Sequence, residues 1–331
     1  MNQTRQFLSK GNMKNLLLLG TFLLSAAAAQ AATSNLYPVS VGSRFGFVDK
    51  SGSIVINPQF ERAKDFVGDL APVQLGRWGY VGKDGKFAIN PQFDKAEVFS
   101  EGLAPVYFNH RYGYIGTDGK YVINPQFDDA NPFSQGLAAV EQHRLYGFVD
   151  KTGKLVINYQ FEQAADFSEG LAAVCFGKRY GFVDAEGKIV INYQFDLADS
   201  FSDGVAAYRL GKRWGYMDKS GKTIINPQFD EAEAFVNGLA PVRSGKLWGF
   251  IDKSGKIVIN PQFEDAKPFS ENLACVRLAR RWGYIDRNGK FSINPQFDEA
   301  ESFTGAVARV KEGRKTGYIG ADGKYFWNPS L

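Results

Sequence analysis

The chain repeats one sequence unit nine times, and this repetition limits the folds open to it. A glycine followed by an aromatic residue recurs at intervals of 33 residues once and 34 residues seven times, at Gly46, Gly79, Gly113, Gly147, Gly181, Gly215, Gly249, Gly283 and Gly317. In every copy a second glycine follows six residues later and an asparagine eleven residues later. Since so short a unit cannot bury its own apolar residues, neighbouring units must pack on one another.

Three segments of each unit have the pattern of β-strands. The first is "LAPV" or "LAAV", the second is "RWGYID", as in residues 281–286, and the third is "KIVIN", as in residues 256–260. Aromatic residues make up 15% of the chain and glycines number 36, a composition that favours strands and tight turns. Prolines fall in the first segment and at the end of the third but never in the second, and proline is confined to strand edges, ends and bulges. The predicted order is therefore a meander with the second strand in the middle.

The connections between these strands are short and rich in glycine. Tips such as "LGKRW" join the first and second strands, and turns such as "DKSGK" join the second and third, with one residue at positive φ. A longer stretch, residues 228–238 in one copy, must return the chain to the next unit. It suits either a return strand or a short helical turn, since Phe229, Ala232 and Phe235 are spaced three apart. Asn272 replaces the glycine that ends this stretch, and we expect it to adopt the left-handed conformation.

The recurring words "WG", "DKSGK", "INPQFD" and "FSEGLA" resemble those of the WG (Trp-Gly) repeat family of bacterial proteins. The resemblance covers almost the whole chain after residue 31 and implies a β-rich repeat array, without catalytic residues to carry over. The aromatic and glycine pairs are interpreted as structural, in particular Trp78, Gly79, Trp214, Gly215, Trp248, Gly249, Trp282 and Gly283. Phe45, Tyr112, Tyr146 and Tyr180 keep an aromatic residue at the Trp position, whereas the last copy has Thr316.

Two architectures accept such a unit. We expect an all-β, open solenoid-like array of about nine 34-residue β-meander units, with a closed β-propeller as the alternative. Nine units exceed the usual four to eight propeller blades, neither end obviously completes a unit begun at the other, and the last copy deviates at Thr316 and Ser330 as a capping repeat would.

The first residues differ from the rest. Arg5, Lys10 and Lys14 precede an apolar run over residues 16–29 and the small-residue sequence Ala29-Gln30-Ala31, the pattern of a secretory signal peptide. We therefore expect a signal peptide at residues 1–31, cleaved after Ala31, a repeat array at residues 32–331, and a periplasmic or secreted protein without membrane insertion. Without residues 1–31 the net charge falls to +1, which excludes nucleic-acid binding based on net charge.

Few residues indicate a catalytic, metal or disulfide site. Cys175 and Cys275 are interpreted as buried thiols, with one disulfide as the alternative. His110 and His143 are predicted at solvated hairpin tips and form at best a weak zinc site, and the aspartates of "DKSGK" fit turns better than calcium loops. The Asn and Gln of "INPQF" are predicted to be buried amides. No motif indicates a catalytic site, a metal or a cofactor.

The distribution of charged residues is the one feature that the packing of the repeat unit does not require. Eight return segments, each nine residues long, hold 23 acidic and 4 basic residues, whereas the hairpin tips are basic. The tips are predicted to form a positive ridge and the return segments a negative one, with candidate ligand-binding residues Arg77, Arg111, Arg179, Arg213 and Arg281. The predicted function is an exported, non-enzymatic scaffold that binds a protein or an anionic envelope polymer. An envelope hydrolase on a propeller and a passive spacer are the alternatives.

Overall fold

The computed structural model describes residues 36–313 and 315–328, and in these residues all regular structure is β-sheet. Thirty-five strands form nine separate antiparallel sheets. The first sheet has three strands and each of the other eight has four. The predicted signal peptide at residues 1–31 lies outside the described residues.

The strands are named β1–β35 in chain order and grouped into blades 1–9. Blades 1–3 comprise β1 (Tyr37–Val41), β2 (Arg44–Val48), β3 (Ile54–Phe60); β4 (Arg62–Ala63), β5 (Leu70–Leu75), β6 (Arg77–Gly82), β7 (Phe87–Phe93); and β8 (Lys95–Ala96), β9 (Leu103–Phe108), β10 (Arg111–Gly116), β11 (Tyr121–Phe127). Blades 4–6 comprise β12 (Asp129–Ala130), β13 (Leu137–Gln142), β14 (Leu145–Asp150), β15 (Leu155–Phe161); β16 (Gln163–Ala164), β17 (Ala172–Phe176), β18 (Arg179–Val183), β19 (Ile189–Phe195); and β20 (Leu197–Ala198), β21 (Val205–Leu210), β22 (Arg213–Asp218), β23 (Thr223–Phe229). Blades 7–9 comprise β24 (Glu231–Ala232), β25 (Leu239–Ser244), β26 (Leu247–Asp252), β27 (Ile257–Phe263); β28 (Asp265–Ser270), β29 (Leu273–Leu278), β30 (Arg281–Ile285), β31 (Phe291–Phe297); and β32 (Glu299–Ala300), β33 (Val307–Glu312), β34 (Lys315–Gly320), β35 (Tyr325–Trp327).

The three predicted segments are strands B, C and D of each blade, and a short strand A precedes them. In blade 2 the order is β4, β5, β6 and β7, with each strand antiparallel to the next. The predicted meander, with the "WG" strand between its two neighbours, is therefore confirmed. Blade 1 is described from strand B onward.

The nine blades close into a β-propeller ring, because blade 9 packs on blade 1. The Tyr318 hydroxyl donates to the Pro38 carbonyl at 2.7 Å, and the Lys50 ammonium donates to the Gly305 carbonyl at 3.0 Å. Val39 and Val48 of blade 1 share one buried cluster with Val307 and Tyr318 of blade 9. The predicted open array is thus wrong, and the β-propeller alternative is correct.

The last copy is not a capping repeat, because blade 1 covers it. Trp327 of blade 9 stands at the strand-D position that an isoleucine holds in every other blade, and it packs against the cluster shared with blade 1. The structure does not explain Thr316, and Ser330 lies outside the described residues.

The hydrophobic core lies between blades and not within one. Between blades 7 and 8, for example, Trp248, Phe250 and Phe263 of one blade pack against Phe269 and Val276 of the next. Such burial stabilises each interface by about 25 cal/mol per Å² of apolar surface removed from water. The interpretation of the Trp residues as core is confirmed, since Trp78, Trp214, Trp248 and Trp282 are all buried.

The glycine of the "WG" pair is required by a bulge in strand D. Trp78 pairs with Phe93 and Tyr80 pairs with Ile89, so strand D carries two extra residues opposite Gly79. A Cβ atom built on Gly79 would lie 2.5 Å from the Ile89 carbonyl oxygen and 2.7 Å from the Pro91 nitrogen, closer than any side chain tolerates. The backbone of the bulge therefore rests directly on this glycine, and the proline lies in the bulge.

The return segment contains a short strand, as one of the two alternatives predicted: the chain continues from Phe229 into the two-residue strand A of the next blade, Glu231–Ala232, and then into a loop. The helical-turn alternative is wrong, and one further prediction needs correction. The Asn and Gln of "INPQF" are exposed on strand D in every blade where both are described, for example Asn90 and Gln92, so they are not buried amides. Asn272 has φ of 70°, as predicted.

Candidate functional site

Each blade presents its connections on two opposite faces of the ring. Because neighbouring strands are antiparallel, the B–C hairpins and the D–A connections lie on one face, called here the tip face. The A–B loops and the C–D turns lie on the other, called the loop face. The described B–C hairpins are tight, and several hold two residues at positive φ, such as Asn109 and His110.

On the tip face, the last cross-strand pair of eight hairpins combines one apolar side chain with one polar or basic side chain. The eight pairs are Val41 with Arg44, Leu75 with Arg77, Phe108 with Arg111, Gln142 with Leu145, Phe176 with Arg179, Leu210 with Arg213, Ser244 with Leu247, and Leu278 with Arg281. Blade 9 instead pairs Glu312 with Lys315.

The eight apolar residues are called the tip collar: Val41, Leu75, Phe108, Leu145, Phe176, Leu210, Leu247 and Leu278. Seven of them are between 36% and 50% exposed, and Phe108 is half-buried beside Arg77. In blades 4 and 7, strand B ends in a polar residue, Gln142 or Ser244, and strand C then begins with leucine in place of arginine. The apolar residue thus changes strand but remains at the tip.

The candidate ligand-binding arginines lie between these apolar residues, and each has an acidic partner. Arg213 contacts Asp230 of the next blade at 2.7 Å, and Arg77 contacts Asp94 at 3.7 Å. Arg111, Arg179 and Arg281 pair in the same way with Asp128, Asp196 and Asp298.

The acidic partners also hold the next hairpin in place. The second carboxylate oxygen of Asp230 accepts a hydrogen bond from the Gly245 N–H at 2.7 Å, and Asp298 accepts one from Gly313 at 2.6 Å. The basic tips and the first acidic residue of each return segment, such as Asp230, therefore form one belt of alternating charge on the tip face. The rest of each return segment continues through strand A to the A–B loop on the loop face, where Asp203 pairs with Lys253 of a C–D turn. The predicted separation into a positive and a negative ridge is wrong, because the acidic residues lie on both faces and pair with basic residues there.

On the loop face, the aspartates of the C–D turns shape the backbone, as their turn interpretation predicted. One carboxylate oxygen of Asp252 accepts hydrogen bonds from the Ser254 and Lys256 N–H groups at 2.9 and 3.1 Å. Hydrogen bonds of this kind lower the pKa of Asp252, and first among them is the bond from the Ser254 hydroxyl. Asp49, Asp150 and Asp218 have lowered pKa values for the same reason.

Towards the axis, the residues after strand A form polar contacts between blades. Lys64 pairs with Glu97 at 2.5 Å, and the Asn131 amide donates to Asp166 at 2.8 Å. In blades 6 and 7 the residues at this position are acidic, Asp199 and Glu233, whereas blade 8 has Lys267. Partial loss of solvent raises the pKa of Asp199 to about 7, and it raises that of Glu233 to about 7 with help from Asp199, Asp265 and Glu231.

The remaining residues singled out by the sequence do not converge. His110 and His143 are exposed at the hairpin tips of blades 3 and 4, as predicted. Cys175 and Cys275 are free, buried thiols in blades 5 and 8, which confirms the interpretation as thiols. Burial raises the pKa of Cys275 to about 12, so this thiol is not a reactive nucleophile.

In the described part of the chain, no group of three or more His, Cys, Asp or Glu side chains is arranged to hold a metal ion. No helix among these residues is long and apolar enough to cross a membrane. The tip collar is the feature that sequence reasoning missed. The signal for it was an apolar residue three places before the tip arginine in most copies, together with leucine at the arginine position in blades 4 and 7.

Comparisons with known structures bear on the fold alone. The crystal structure of a eukaryotic initiation factor aligns with a TM-score of 0.64 at 11% identity, over 88% of this chain and 94% of that chain. The dihydro-heme d1 dehydrogenase NirN aligns at 0.47 with 10% identity, over 78% and 72% of the two chains. Hsv2p of Kluyveromyces lactis aligns at 0.44 with 9% identity, over 68% and 91%. The last two likenesses are too weak to support an argument.

Among curated protein sequences, none matches the chain. A family profile described as "WG containing repeat" matches it eight times, at residues 45–77, 78–109, 112–144, 146–180, 180–214, 214–248, 248–279 and 282–315. These matches run through most of the propeller. The chain therefore belongs to the family of proteins built from WG repeats.

Proposed function

We propose that the chain is an exported, non-enzymatic scaffold that binds a protein partner through its tip face. The observation that carries the proposal is the tip collar. Eight of the nine hairpin tips each hold an apolar side chain among polar neighbours, and solvated hairpins have no need of one.

In blades 4 and 7 the apolar tip residue comes from strand C and not from strand B, which supports a function for the tip collar. A solvated hairpin tolerates two polar residues at its last pair, as Glu312 and Lys315 of blade 9 show. In blades 4 and 7 the residue of strand B is polar, yet Leu145 and Leu247 restore an apolar side chain from strand C. The apolar character of the tip is therefore kept independently of which strand supplies it.

The charge belt favours a protein over an anionic polymer as the partner. A polyanion binds to unpaired basic charge. The tip arginines instead contact carboxylates of the neighbouring blade, such as Asp230 and Asp298, which offset their charge. Apolar side chains together with arginine side chains are typical of protein interfaces.

Export is supported by the sequence of residues 1–31, with its basic start, apolar run and Ala-Gln-Ala exit. A ring of equivalent tips also suits multivalent binding, because several weak apolar contacts to one partner accumulate. The scaffold binds its partner through shape and charge and catalyses no covalent step.

The test compares two variants that each replace four exposed apolar residues by serine. The collar variant carries Leu75→Ser, Phe176→Ser, Leu210→Ser and Leu278→Ser. The control variant carries Val55→Ser, Val122→Ser, Val190→Ser and Val258→Ser, four exposed apolar residues of strand D on the outer rim. Both sets lie on the surface, so the melting temperatures should stay close to that of the parent chain.

Envelope proteins crosslinked to each variant are then identified and compared. A protein captured by the parent and the control variant, but lost from the collar variant at both low and high salt, is the expected result. Anionic polymer binding that depends on salt and disappears in Arg213→Glu with Arg281→Glu, while the collar variant binds normally, would overturn the proposal in favour of the polymer.

A further inference from the structure

One arginine of the tip face differs from its equivalents in the neighbouring blades. In blades 6–9 a basic residue of strand B lies opposite the first residue of strand A. The four pairs are Arg209 with Leu197, Arg243 with Glu231, Arg277 with Asp265, and Lys311 with Glu299. Arg243 contacts Glu231 at 2.6 Å, Lys311 contacts Glu299 at 2.6 Å, and Arg277 contacts Glu264 at 3.4 Å. Blade 6 therefore has an apolar residue where the other three blades have a carboxylate.

Arg209 is half-buried and has no counter-ion. Its Nε atom is buried without a hydrogen-bond partner among the described residues, and its guanidinium lies over the Trp214 ring at 6.0 Å. Residues 1–35, 314 and 329–331 contain no aspartate or glutamate, so no side chain outside the described part supplies a carboxylate either. A charge that is partly removed from water without a partner costs free energy. A carboxylate that binds to Arg209 would remove that cost.

The position of Arg209 connects it with the tip collar. Arg209 pairs with Trp214, which packs against Ala232 and Val242 of blade 7, so its side chain faces the gap between the tips of blades 6 and 7. The collar residues of these two tips, Leu210 and Leu247, lie one cross-strand pair closer to the tip. A partner that covers both leucines can therefore place an acidic side chain in the gap between them.

The turns of blades 5–8 add further basic residues that have no counter-ion. The last residue of each turn is basic and exposed, and among residues 36–313 and 315–328 no carboxylate lies within ion-pair distance of it: Lys178, Lys212, Lys246 and Arg280. The same turn in blade 1 is Gly42-Ser43, so the hairpin itself does not need a basic residue. These four residues, called here the apex residues, differ from Arg213 and Arg281, which contact carboxylates.

We propose that the protein partner of the tip face presents an acidic segment to blades 5–8, in which one carboxylate pairs with Arg209 and others pair with the apex residues. This inference rests on the proposed binding of a protein through the tip collar and names the chemistry of that protein. An anionic polymer would match the basic residues but would leave Leu210 and Leu247 without apolar contacts. An acidic segment with apolar residues matches both.

The test uses the fluorescein-labelled peptide Asp-Leu-Glu-Ser-Asp-Leu-Glu-Ser and fluorescence anisotropy with the full chain. We expect saturable binding to the parent, and at least about tenfold weaker binding of the matched peptide with Asn and Gln in place of Asp and Glu. Leu197→Glu gives Arg209 a carboxylate of its own, as Glu231 does for Arg243, and should weaken binding of the acidic peptide at least about tenfold. Gln163→Glu is the matched control, because it adds the same charge at the same position of blade 5, opposite Cys175.

A second variant keeps Leu197 in place, in case Leu197→Glu disturbs folding. Arg209→Gln should weaken binding about as much as Leu197→Glu does. Its control is Arg243→Gln with Glu231→Gln, which removes a complete ion pair and should bind the peptide nearly as the parent does. Melting temperatures of all variants check that the fold is kept.

The outcomes separate this inference from the proposed function. The collar variant should also lose the peptide. Loss in the collar variant with unchanged binding in Arg209→Gln and Leu197→Glu would overturn the acidic partner and leave binding through the collar standing. Loss in Arg209→Gln with unchanged binding in the collar variant would instead contradict the collar. Absence of peptide binding, or equal binding of the acidic and the amide peptide, would overturn the inference. Inorganic polyphosphate that binds more tightly than the peptide, and equally to the collar variant, would favour an anionic polymer.

Discussion

Eight interfaces between blades are alike, and the ninth, between blades 9 and 1, is different. In a regular interface the aromatic residue after the "WG" glycine packs on a phenylalanine that follows strand A of the next blade, as Tyr216 packs on Phe235 with centroids 4.7 Å apart. The Tyr216 hydroxyl donates to the Glu233 carbonyl at 2.8 Å. At the closing interface Tyr318 packs on Tyr37, which belongs to strand B, and its hydroxyl donates to the Pro38 carbonyl.

A single substitution in strand B explains how the closing interface is filled. Tyr37 occupies the position that alanine holds in all other blades: Ala71, Ala104, Ala138, Ala172, Ala206, Ala240, Ala274 and Ala308. Its ring contacts Tyr318 and Phe326. The large side chain therefore replaces the phenylalanine that follows strand A elsewhere.

The two kinds of interface also differ in covalent connection. Neighbouring blades at the eight regular interfaces are joined by the chain itself, which keeps them close even when packing weakens. Blades 9 and 1 are held only by non-covalent contacts. A substitution that weakens packing should therefore open the ring at the interface between blades 9 and 1 but leave it closed at a regular interface.

The largest effect is expected from Tyr37→Ala. Tyr37 is half-buried, so its removal should cost less free energy than the about 3–5 kcal/mol of a fully buried aromatic side chain, but the loss should also open the ring. Phe235→Ala, in the regular interface, removes a fully buried side chain and should destabilise by about 3–5 kcal/mol but leave the ring closed. Chemical denaturation measures the first effect and small-angle scattering the second. Tyr37→Phe, which keeps the ring of the side chain, should behave like the parent. Equal scattering curves for Tyr37→Ala and Phe235→Ala would contradict the difference between the closing interface and a regular interface.

Two glycines in equivalent turns test the same comparison, because one packs at the closing interface and the other at a regular interface. Gly52 and Gly85 occupy the same turn position with φ of 81° and 77°, so an added Cβ causes similar backbone strain at both. At Gly52 the Cβ would meet the Phe326 carbonyl oxygen of blade 9 at 2.1 Å, whereas at Gly85 it would meet the flexible Ile56 side chain at 3.1 Å. We expect Gly52→Ala to lower the free energy of unfolding by about 3 kcal/mol and Gly85→Ala by about 1 kcal/mol. Equal losses would contradict the closing contact.

A pH experiment examines the acidic side of the ring. On the closing side burial also raises the pKa of Asp65, but Arg309 opposes the rise. Asp199 and Glu233 have ordinary pKa values of 3.8 and 4.5 in an unfolded chain, and burial in the folded protein raises both pKa values to about 7. The folded protein therefore holds more protons than the unfolded chain between pH 4 and 7. Their contribution to stability is present below pH 4 and is lost as the pH rises through 7.

Asp199→Asn with Glu233→Gln should consequently flatten the dependence of stability on pH and stabilise the protein at pH 8 by about 2 kcal/mol. Asp218→Asn is the matched control, because hydrogen bonds lower the pKa of Asp218 and its removal should not stabilise at pH 8. Denaturation midpoints at pH 5 and pH 8 measure the effect. If the stability of the double variant depends on pH as that of the parent does, Asp199 and Glu233 are not the source of the pH dependence.

The smallest expected effect concerns the tyrosine hydroxyls. Tyr318→Phe removes the bond to Pro38, and Tyr284→Phe removes the bond to Glu301, each of 2.7 Å. Each loss should cost about 1 kcal/mol, since each leaves one carbonyl without this donor. Similar values from denaturation would show that the closing hydroxyl is equivalent to the regular ones. A much larger cost at Tyr318 would show that the hydroxyl itself holds the ring closed.

Much of the blade was predictable from the sequence because it depends on local chemistry. The turn glycines, the order of strands B, C and D, and the buried Trp residues follow from periodicity and from the limits on glycine and proline. Strand A was harder to predict, because a two-residue strand such as Glu231–Ala232 has no period of its own.

Ring closure and the tip collar depend on long-range arrangement. Curvature arises from small rotations between blades, which a 34-residue pattern does not encode visibly, and nine repeats alone suit either a ring or an open array. The clue was present in Tyr37, the one large residue at an otherwise invariant alanine position. The pairing of Arg213 with Asp230 could not be read from the sequence until the topology placed both on one face.

Small-angle X-ray scattering of the purified chain tests ring closure most directly. Sheets stack about 10 Å apart, so nine blades in an open array would extend to about 90 Å or more along one axis. A closed ring of about 300 residues should have a radius of gyration near 20 Å and a symmetric distance distribution that ends well below 90 Å. A skewed distribution with a long tail reaching 90 Å would contradict closure between blades 9 and 1.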